Sequence, residues 1–344
     1  MSEQNDILKD LFLPTWDNKP PYREPIISLN GVNILRFQNI TCIVAQQGAG
    51  KSTVNEGILS SVIDKNCDCL GFKTTIERAM YIDFERANED VWPSFYRVMK
   101  RANIKEGTNI DNVQIIGFRN IATSKLRKER IEALLELYKP ELLLLDGVGD
   151  LLDDTNSLEQ AIECKNWVRF ITSKFNVSIL TTLHPNKGSL NPRGHIGSEM
   201  LRESEGVLAI TIDANEVRTL TSDFQFGKAR NGAHATTCFE WSDENKMFMS
   251  CEVVHKIKLA KLPPEEKLTH EELIQLVRTT HNEQLTATDT SKRIEEYLKT
   301  NITYIQTSNT NIVQFIKYLE CNNYLTVTKI GRNRYYYLHV NYQK

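Results

Sequence analysis

The fold is decided by residues 45–53, which read Ala45-Gln46-Gln47-Gly48-Ala49-Gly50-Lys51-Ser52-Thr53. The β-branched apolar run at residues 40–44 predicts a buried strand before this stretch, and the apolar spacing of residues 54–63 predicts a helix after it. A glycine-containing turn in this position, ending in Gly-Lys-Ser, is a P-loop. Its backbone N–H groups surround a phosphate chain at the positive end of a helix.

The P-loop assigns roles to its residues. Lys51 would reach the β- and γ-phosphates, and the Ser52 hydroxyl would contact Mg²⁺. Ala45 departs from the pattern, which has glycine at this first position; because the position precedes the tightest part of the loop, a methyl group is tolerated there. The sequence therefore predicts that ATP and Mg²⁺ bind through the loop residues Gln46, Gln47, Gly48, Ala49, Gly50, Lys51, Ser52 and Thr53.

Composition limits the classes of function. The chain has 344 residues and a formal charge of −2, so no global charge draws it toward nucleic acid or a membrane. We find no run of about 18 apolar residues and a polar, acidic start, so we expect neither a transmembrane helix nor a signal peptide. Of the seven cysteines only Cys67 and Cys69 are close in sequence, which favours reduced thiols in a cytoplasmic protein over a zinc site.

Two further predicted strands end in carboxylates. Apolar residues alternate along residues 80–85, which predicts a strand that ends with Glu85. Glu85 could act as general base on the attacking water; a solvated acidic turn is the alternative. Residues 141–147 hold four consecutive leucines before Asp146, which predicts a strand buried on both faces. After a P-loop this pattern is a Walker B motif, in which Asp146 holds Mg²⁺ through water or Ser52.

The strand predicted at residues 177–183 delivers His184 to the same edge of the sheet. A polar side chain there can sense the γ-phosphate and pass its presence to the next loop, although a structural histidine is the alternative. That loop, residues 187–197, contains three glycines together with Lys187 and Arg193. Its basic character favours contact with a DNA phosphate backbone; a plain surface connection is the alternative.

Residues 224–232 predict a strand with Lys228 and Arg230 on one face, ended by a tight Asn-Gly turn. The two cations would reach across a subunit boundary to the phosphates of a neighbouring copy, as an arginine finger does. An ordinary cationic edge strand is the alternative.

With these motifs, residues 26–255 resemble the RecA-like ATPases, and within them the hexameric helicases of the DnaB type and the plasmid RepA helicases. The motifs that carry the resemblance are AQQGAGKST, YIDFE, LLLLDG and GKARNG. The resemblance implies a catalytic glutamate at Glu85, a Walker B aspartate at Asp146 and a sensor at His184. It also implies that Lys228 and Arg230 enter the adjacent subunit's site, and that single-stranded DNA contacts the loop after His184.

The C-terminal part predicts a second domain. A proline-containing linker at residues 259–266 separates the ATPase domain, residues 26–258, from residues 267–344, where three helix-like segments precede two β-rich runs. This order resembles a winged helix, whose third helix would enter the major groove of duplex DNA. Lys329, Arg332 and Arg334 make the hairpin basic, which favours DNA contact over a protein-interaction module.

The expected fold class is therefore α/β, a RecA-like P-loop NTPase core with a mainly parallel central sheet and a small winged-helix domain. An apolar arm at residues 1–25 would pack on its own domain or on a neighbouring subunit. The expected function is an ATP-hydrolysing DNA motor, a hexameric helicase in replication or transfer of a mobile genetic element. The alternatives are an ATP-switched DNA-binding regulator and a recombination or transposition accessory protein without unwinding activity.

Overall fold

The computed structural model describes residue 12 and residues 14–186, 189–213, 215–229, 233–251, 268–281, 283–301, 309–330 and 333–339. The chain divides into two compact units, Met1–Val253 and Val254–Lys344. Within the described part of the arm predicted at residues 1–25, Phe12 and Trp16 are 61% and 96% exposed. These two aromatic side chains therefore do not pack into the core of their own unit.

The first unit alternates strands and helices. Its strands are β1 (Ile27–Leu29), β2 (Val32–Leu35), β3 (Ile40–Ala45), β4 (Phe72–Thr74), β5 (Ala79–Asp83), β6 (Val113–Gly117), β7 (Leu142–Asp146), β8 (Ser178–Leu183), β9 (Gly206–Ile212), β10 (Arg218–Thr221), β11 (Lys228–Ala229), β12 (Thr236–Ser242) and β13 (Met247–Cys251). Its α-helices are α1 (Lys51–Ile63), α2 (Asn88–Arg101), α3 (Ser124–Tyr138), α4 (Leu158–Lys174) and α5 (Gly194–Glu203), and a 3₁₀-helix spans Val148–Leu151. In the ranges that are described, no helix is long and apolar enough to cross a membrane.

The central sheet has the strand order β13-β12-β10-β9-β3-β8-β7-β5-β6, and β11 also pairs with β9. The strands from β9 to β6 run parallel, whereas β10, β12 and β13 extend the sheet in antiparallel fashion. Because the carboxyl ends of parallel strands share one edge, the segments after β3, β5, β7 and β8 meet there. The expected α/β fold with a mainly parallel central sheet is confirmed.

The four leucines of β7 show how the sheet is buried on both faces. Leu142 and Leu144 belong to one hydrophobic cluster, and Leu143 and Leu145 belong to the other. All four side chains are fully buried, since helices cover both faces. The continuous apolar run in the sequence therefore predicted this strand correctly.

A β-hairpin that turns at Asn30-Gly31 precedes the P-loop strand. Asn30 and Gly31 have φ angles of 47° and 82°, and Leu29 pairs with Val32 across the turn. Positive φ at both central residues is the requirement of the turn that joins twisted antiparallel strands. The hairpin forms a separate small sheet with the order β2-β1-β4.

Two segments predicted from the sequence have different boundaries in the structure. The strand expected at residues 224–232 is confined, in the described part, to Lys228–Ala229, because the preceding residues turn back so closely that a Cβ on Gly227 would lie 1.9 Å from the Ser222 carbonyl oxygen. The loop expected at residues 187–197 ends earlier, since α5 begins at Gly194. Residue 232 and the Asn-Gly turn lie outside the described residues.

The described part of the second unit holds α6 (His270–Thr280), β14 (Leu285–Thr286), α7 (Ala287–Asn301), α8 (Asn309–Cys321), β15 (Leu325–Ile330) and β16 (Asn333–Leu338). The strands form an antiparallel sheet with the order β14-β16-β15 around a core that includes Leu276 and Phe315. A complete capping box between Thr269 and Glu272 begins α6. The winged-helix assignment stays a prediction, and the linker at residues 259–266 lies outside the described residues.

A buried ion pair fixes α1, the helix that follows the P-loop, to its neighbour α2. The Glu56 carboxylate is 2% exposed and accepts hydrogen bonds from Arg97 at 2.6 and 2.9 Å and from the Ser94 hydroxyl at 2.5 Å. Such a pair stabilises only while both charges are present, because an unpartnered buried charge is costly. The position of α1 therefore depends on this contact.

We predict that Arg97→Ala lowers the free energy of unfolding by about 3 kcal/mol, because it leaves the Glu56 carboxylate buried and without its cation. Urea denaturation followed by tryptophan fluorescence measures this loss. The matched control is Glu163→Ala, which breaks an ion pair between Lys128 and a carboxylate that is 72% exposed, and should cost less than about 1 kcal/mol. Equal losses in the two variants would contradict the prediction.

Candidate active site

The loop before α1 has the backbone geometry of a phosphate-binding turn. Gly48 and Gly50 have φ angles of 77° and 103°, a region that favours glycine. A Cβ on Gly50 would also lie 3.1 Å from the ring of Phe239, a tight contact that adds to the backbone's preference for glycine there. Ala45 is the buried last residue of β3, paired in the parallel sheet, and its position needs no positive φ. This explains why alanine replaces the first glycine of the motif.

Lys51 is folded into the loop. Its ammonium group donates hydrogen bonds to the carbonyl oxygens of Ala45 and Gln46 at 3.3 and 3.4 Å. Burial lowers the pKa of Lys51, while the carboxylates of Asp146 and Glu85 act in the opposite direction. The ammonium group thus lies inside the turn whose N–H groups would surround a phosphate.

The Asp146 carboxylate is held by three hydroxyl groups. Thr182 donates to Oδ1 at 2.6 Å, and Tyr81 and Ser52 donate to Oδ2 at 2.9 and 3.3 Å. The Ser52 and Asp146 oxygens are hard donors of the kind that Mg²⁺ prefers, so the residues fit the expected ion. Across the described ranges no group of three or more His, Cys, Asp or Glu could hold a metal, so Mg²⁺ here would take its remaining ligands from phosphate and water.

Glu85 lies directly after β5 and contacts the sensor candidate of the sequence analysis. Its Oε1 is 3.0 Å from Nε2 of His184, and the two side chains are 52% and 42% exposed. The hydrogen bond from His184 lowers the pKa of Glu85, whereas burial acts to raise it. The charges of Lys51 and Arg86 add to the lowering. Glu85 is therefore an exposed carboxylate that stays ionised at neutral pH.

Sequence reasoning missed the residues that fix the turn bearing Glu85. Asp83 is 1% exposed, and its Oδ1 accepts the backbone N–H groups of Glu85 and Arg86 at 3.0 and 2.8 Å. The Arg86 guanidinium donates to Asp83 Oδ2 at 2.5 Å and to the Tyr81 hydroxyl at 3.1 Å. Although burial acts against it, the pKa of Arg86 is raised by Tyr81 and Asp83. The order Asp-Phe-Glu-Arg at residues 83–86 was the sequence signal for this turn. An aspartate side chain can accept the backbone N–H of the residue two positions later and so stabilise a tight turn.

The loop after His184 is tied to the P-loop. The Arg193 backbone N–H donates to the His184 carbonyl at 2.8 Å, and Gln46 Nε2 donates to the carbonyls of Asn186 and Ser189 at 3.2 and 3.3 Å. His184 and Arg193 also share a cleft of about 280 Å³, lined by Gly147, Gly149, Asp150, Thr155, Thr182, Leu183, His184, Arg193 and Ile196. Asp150, which the sequence did not single out, has a pKa raised chiefly by burial. Lys187 lies outside the described residues.

Lys228 does not face outward as the sequence analysis expected. Its ammonium group donates to the carbonyl oxygens of Leu201, Arg202 and Ser204, at 3.4 Å for Arg202 and 3.2 Å for Ser204. A cation at these carbonyls stabilises the C-terminus of α5 within the same chain. The role of Lys228 in a neighbour's site stays a prediction, and Arg230 lies outside the described residues.

In the second unit, Lys329 and Arg334 are exposed partners across the β15–β16 hairpin. Like charges placed opposite each other destabilise a sheet unless an anion lies nearby. The Glu320 carboxylate is such an anion, 3.6 Å from the Arg334 guanidinium. Arg332 lies outside the described residues.

Comparisons with known proteins gave matches among solved structures but none among family models or curated proteins. Among solved structures, the chain is similar to a KaiC-like protein from the hyperthermophilic archaeon Pyrococcus horikoshii, with 12% sequence identity and a TM-score of 0.44. The alignment covers 66% of this chain and 100% of that one.

We predict that His184→Ala raises the pKa of Glu85 toward its ordinary value of 4.5, because the hydrogen bond from His184 is the largest cause of the lowering. By linkage, the contact stabilises the fold fully above the unfolded-state pKa, and this stabilisation is lost as the pH falls through the lower folded-state pKa. Carboxyl ¹³C NMR titration measures the shift. His234→Ala is the control, since its imidazole contacts Ser222 instead; an unchanged Glu85 pKa in His184→Ala would show the prediction to be wrong.

Proposed function

We propose that this protein is a P-loop ATPase that works as a DNA motor of the hexameric helicase type, in replication or transfer of a mobile genetic element. The supporting observation is the edge of the central sheet, where the P-loop, Glu85 and Asp146 follow the parallel strands β3, β5 and β7. The ammonium group of Lys51 interacts electrostatically with both carboxylates. A phosphate-binding turn, a metal-binding carboxylate and a water-activating carboxylate in one place are the parts that phosphoryl transfer from ATP needs.

Each residue has a task in this proposal. The P-loop N–H groups and Lys51 bind the phosphate chain and neutralise its charge, and Ser52 and Asp146 would hold Mg²⁺. The metal, when bound, neutralises the β- and γ-phosphate oxygens. Glu85 accepts a proton from the attacking water, and its exposed position leaves room for that water. The Asp83–Arg86 contacts keep the Glu85 turn in place.

We expect Glu85→Gln to bind ATP as the wild type does and to lose hydrolysis by at least about 100-fold, because the amide cannot accept the proton. Lys51→Ala should lose ATP binding itself. A fluorescent ATP analogue measures binding and phosphate release measures turnover. Glu89→Gln, an exposed carboxylate at the start of α2, is the control and should behave as the wild type; wild-type turnover in Glu85→Gln would refute the assignment.

In this proposal the loop after His184 couples ATP hydrolysis to DNA binding. Glu85 contacts His184 at 3.0 Å, and the His184 carbonyl accepts the N–H of Arg193 at 2.8 Å. A change at Glu85 on hydrolysis would therefore move the backbone that carries Arg193 by a short chain of contacts. Arg193, with Lys187, would bind the phosphates of single-stranded DNA.

We propose that Arg230 completes the site of an adjacent subunit. Mixing Arg230→Ala subunits with Glu85→Gln subunits should restore part of the hydrolysis, since one kind of interface then combines an intact Glu85 with an intact Arg230. Mass measurement in solution with a non-hydrolysable ATP analogue, with and without single-stranded DNA, verifies the mixed oligomers and separates hexamers from filaments. Mixed oligomers without recovered activity would rule out Arg230 as a residue supplied in trans.

The second candidate function is an ATP-switched DNA-binding regulator, favoured by the exposed Lys329–Arg334 pair on the hairpin of the second unit. The two functions differ in one measurement. Strand displacement on a forked substrate that Lys51→Ala abolishes supports the motor. Site-specific duplex binding without strand displacement, weakened at low salt by Arg332→Ala/Arg334→Ala, supports the regulator.

A further inference from the structure

Two thiols meet in the turn behind the phosphate-binding helix. Cys67 and Cys69 lie between the end of α1 and β4, and their Sγ atoms are 2.7 Å apart. Cys67 is half-buried, whereas Cys69 is 4% exposed, and its sulfur lies 3.5 Å from the Asp64 carbonyl oxygen. One thiol is therefore open to a reagent from solution, and the second lies directly behind it.

A buried cation lies beside this pair. The Arg101 side chain is 1% exposed and donates to the carbonyl of Asp68 at 2.8 Å, the residue between the two cysteines. The hydrogen bond from the Cys69 thiol lowers the pKa of Cys67, and Arg101 adds to the lowering. Donating the same bond raises the pKa of Cys69. These directions, together with its greater exposure, make Cys67 the better candidate for the attacking sulfur and Cys69 the candidate for the second thiol.

The surroundings of this pair differ from those of other thiols of the chain. In the described ranges, no group of three or more His, Cys, Asp or Glu is placed to hold a metal ion, so the two sulfurs have no third ligand. Cys42 and Cys164 are fully buried, and burial raises the pKa of each to about 12. Thiols of that kind are unreactive.

We propose that Cys67 and Cys69 are a redox-modification site that closes into an intraloop disulfide when the protein meets a low-molecular-weight disulfide such as oxidised glutathione. The Cys67 thiolate attacks one sulfur of the oxidant, whose S–S bond breaks and releases one glutathione thiolate. The Cys69 thiol then loses its proton to that thiolate and attacks the Cys67 sulfur, releasing the second glutathione. Two protein thiols are oxidised, and one oxidant disulfide is reduced to two thiols.

The site is coupled to the phosphate-binding helix by direct contacts. Asp68 accepts hydrogen bonds from the backbone N–H of Ser250 at 2.8 Å and from its hydroxyl at 2.5 Å, and so ties the turn to β13. Leu70 packs on α1 so closely that a Cβ on Gly57 would lie 3.0 Å from its Cδ1. Closing a small ring around Asp68 would pull on these contacts and loosen α1. A disulfide in so short a loop is also readily reduced, which makes the modification reversible.

The test incubates the full chain with oxidised glutathione, alkylates the remaining thiols and maps them by mass spectrometry. We expect the peptide with Cys67 and Cys69 to lose two hydrogen atoms, to escape alkylation and to recover both thiols on reduction. In Cys69→Ser the glutathione adduct should accumulate on Cys67, and in Cys67→Ser the Cys69 thiol should stay unmodified. Cys321→Ser, which removes the exposed thiol of α8, is the control and should leave the disulfide unaffected.

Two results of this test would contradict the proposal. Alkylation of both Cys67 and Cys69 under conditions that fully modify the exposed Cys321 would overturn the proposal, as would a glutathione adduct that persists on Cys67 in the wild type. Amide hydrogen exchange tests the coupling to α1, because the oxidised form should exchange faster than the reduced form at residues 54–63. Unchanged exchange in a chain that carries the disulfide would refute that coupling. Neither readout depends on ATP hydrolysis, so the proposal can fail independently of the proposed function.

Discussion

The site depends on how two buried carboxylates are kept side by side. Asp83 and Asp146 are register partners at the ends of β5 and β7, and both are nearly inaccessible. Two like charges in a buried position are unstable without compensation. The Tyr81 hydroxyl lies between them, at 3.2 Å from Asp83 and 2.9 Å from Asp146, and Arg86 donates to both Tyr81 and Asp83. This cluster allows Asp146 to remain beside Ser52 and Lys51, and it fixes the turn that carries Glu85.

The same cluster continues into the packing of the helices. Arg86 also donates to the Ser94 hydroxyl of α2 at 2.8 Å, and Ser94 donates to Glu56 of α1 at 2.5 Å. A connected set of hydrogen bonds therefore runs from α1 through α2 to the carboxylates at the sheet edge. Since every charged member has a partner, the network holds the P-loop and the turn that carries Glu85 in one rigid frame.

Interactions on the two sides of the site have different character. The contacts of Asp83, Asp146 and Arg86 are buried and rigid, whereas Glu85 and His184 are about half exposed and lie on loops. In a site that converts a chemical step into movement, the rigid part would hold the nucleotide and the exposed part would respond to it. Arg193, one backbone hydrogen bond from His184, lies on the exposed side.

The sequence by itself determined the strands β3, β5, β7 and β8 and the helix after the P-loop, and it singled out Lys51, Glu85, Asp146 and His184 as candidates, because their signals are local: glycine spacing, apolar periodicity, and a polar residue ending a buried run. Only the tertiary structure decided which strands are neighbours, and hence that Tyr81 and Arg86 meet Asp146. It also decided that Lys228 binds the carbonyls at the end of α5, because the same cation could face a neighbour or its own chain until the fold places an acceptor. Sequence spacing shows that Cys67 and Cys69 are close, but whether their sulfurs meet beside a buried arginine depends on packing between elements far apart in the chain.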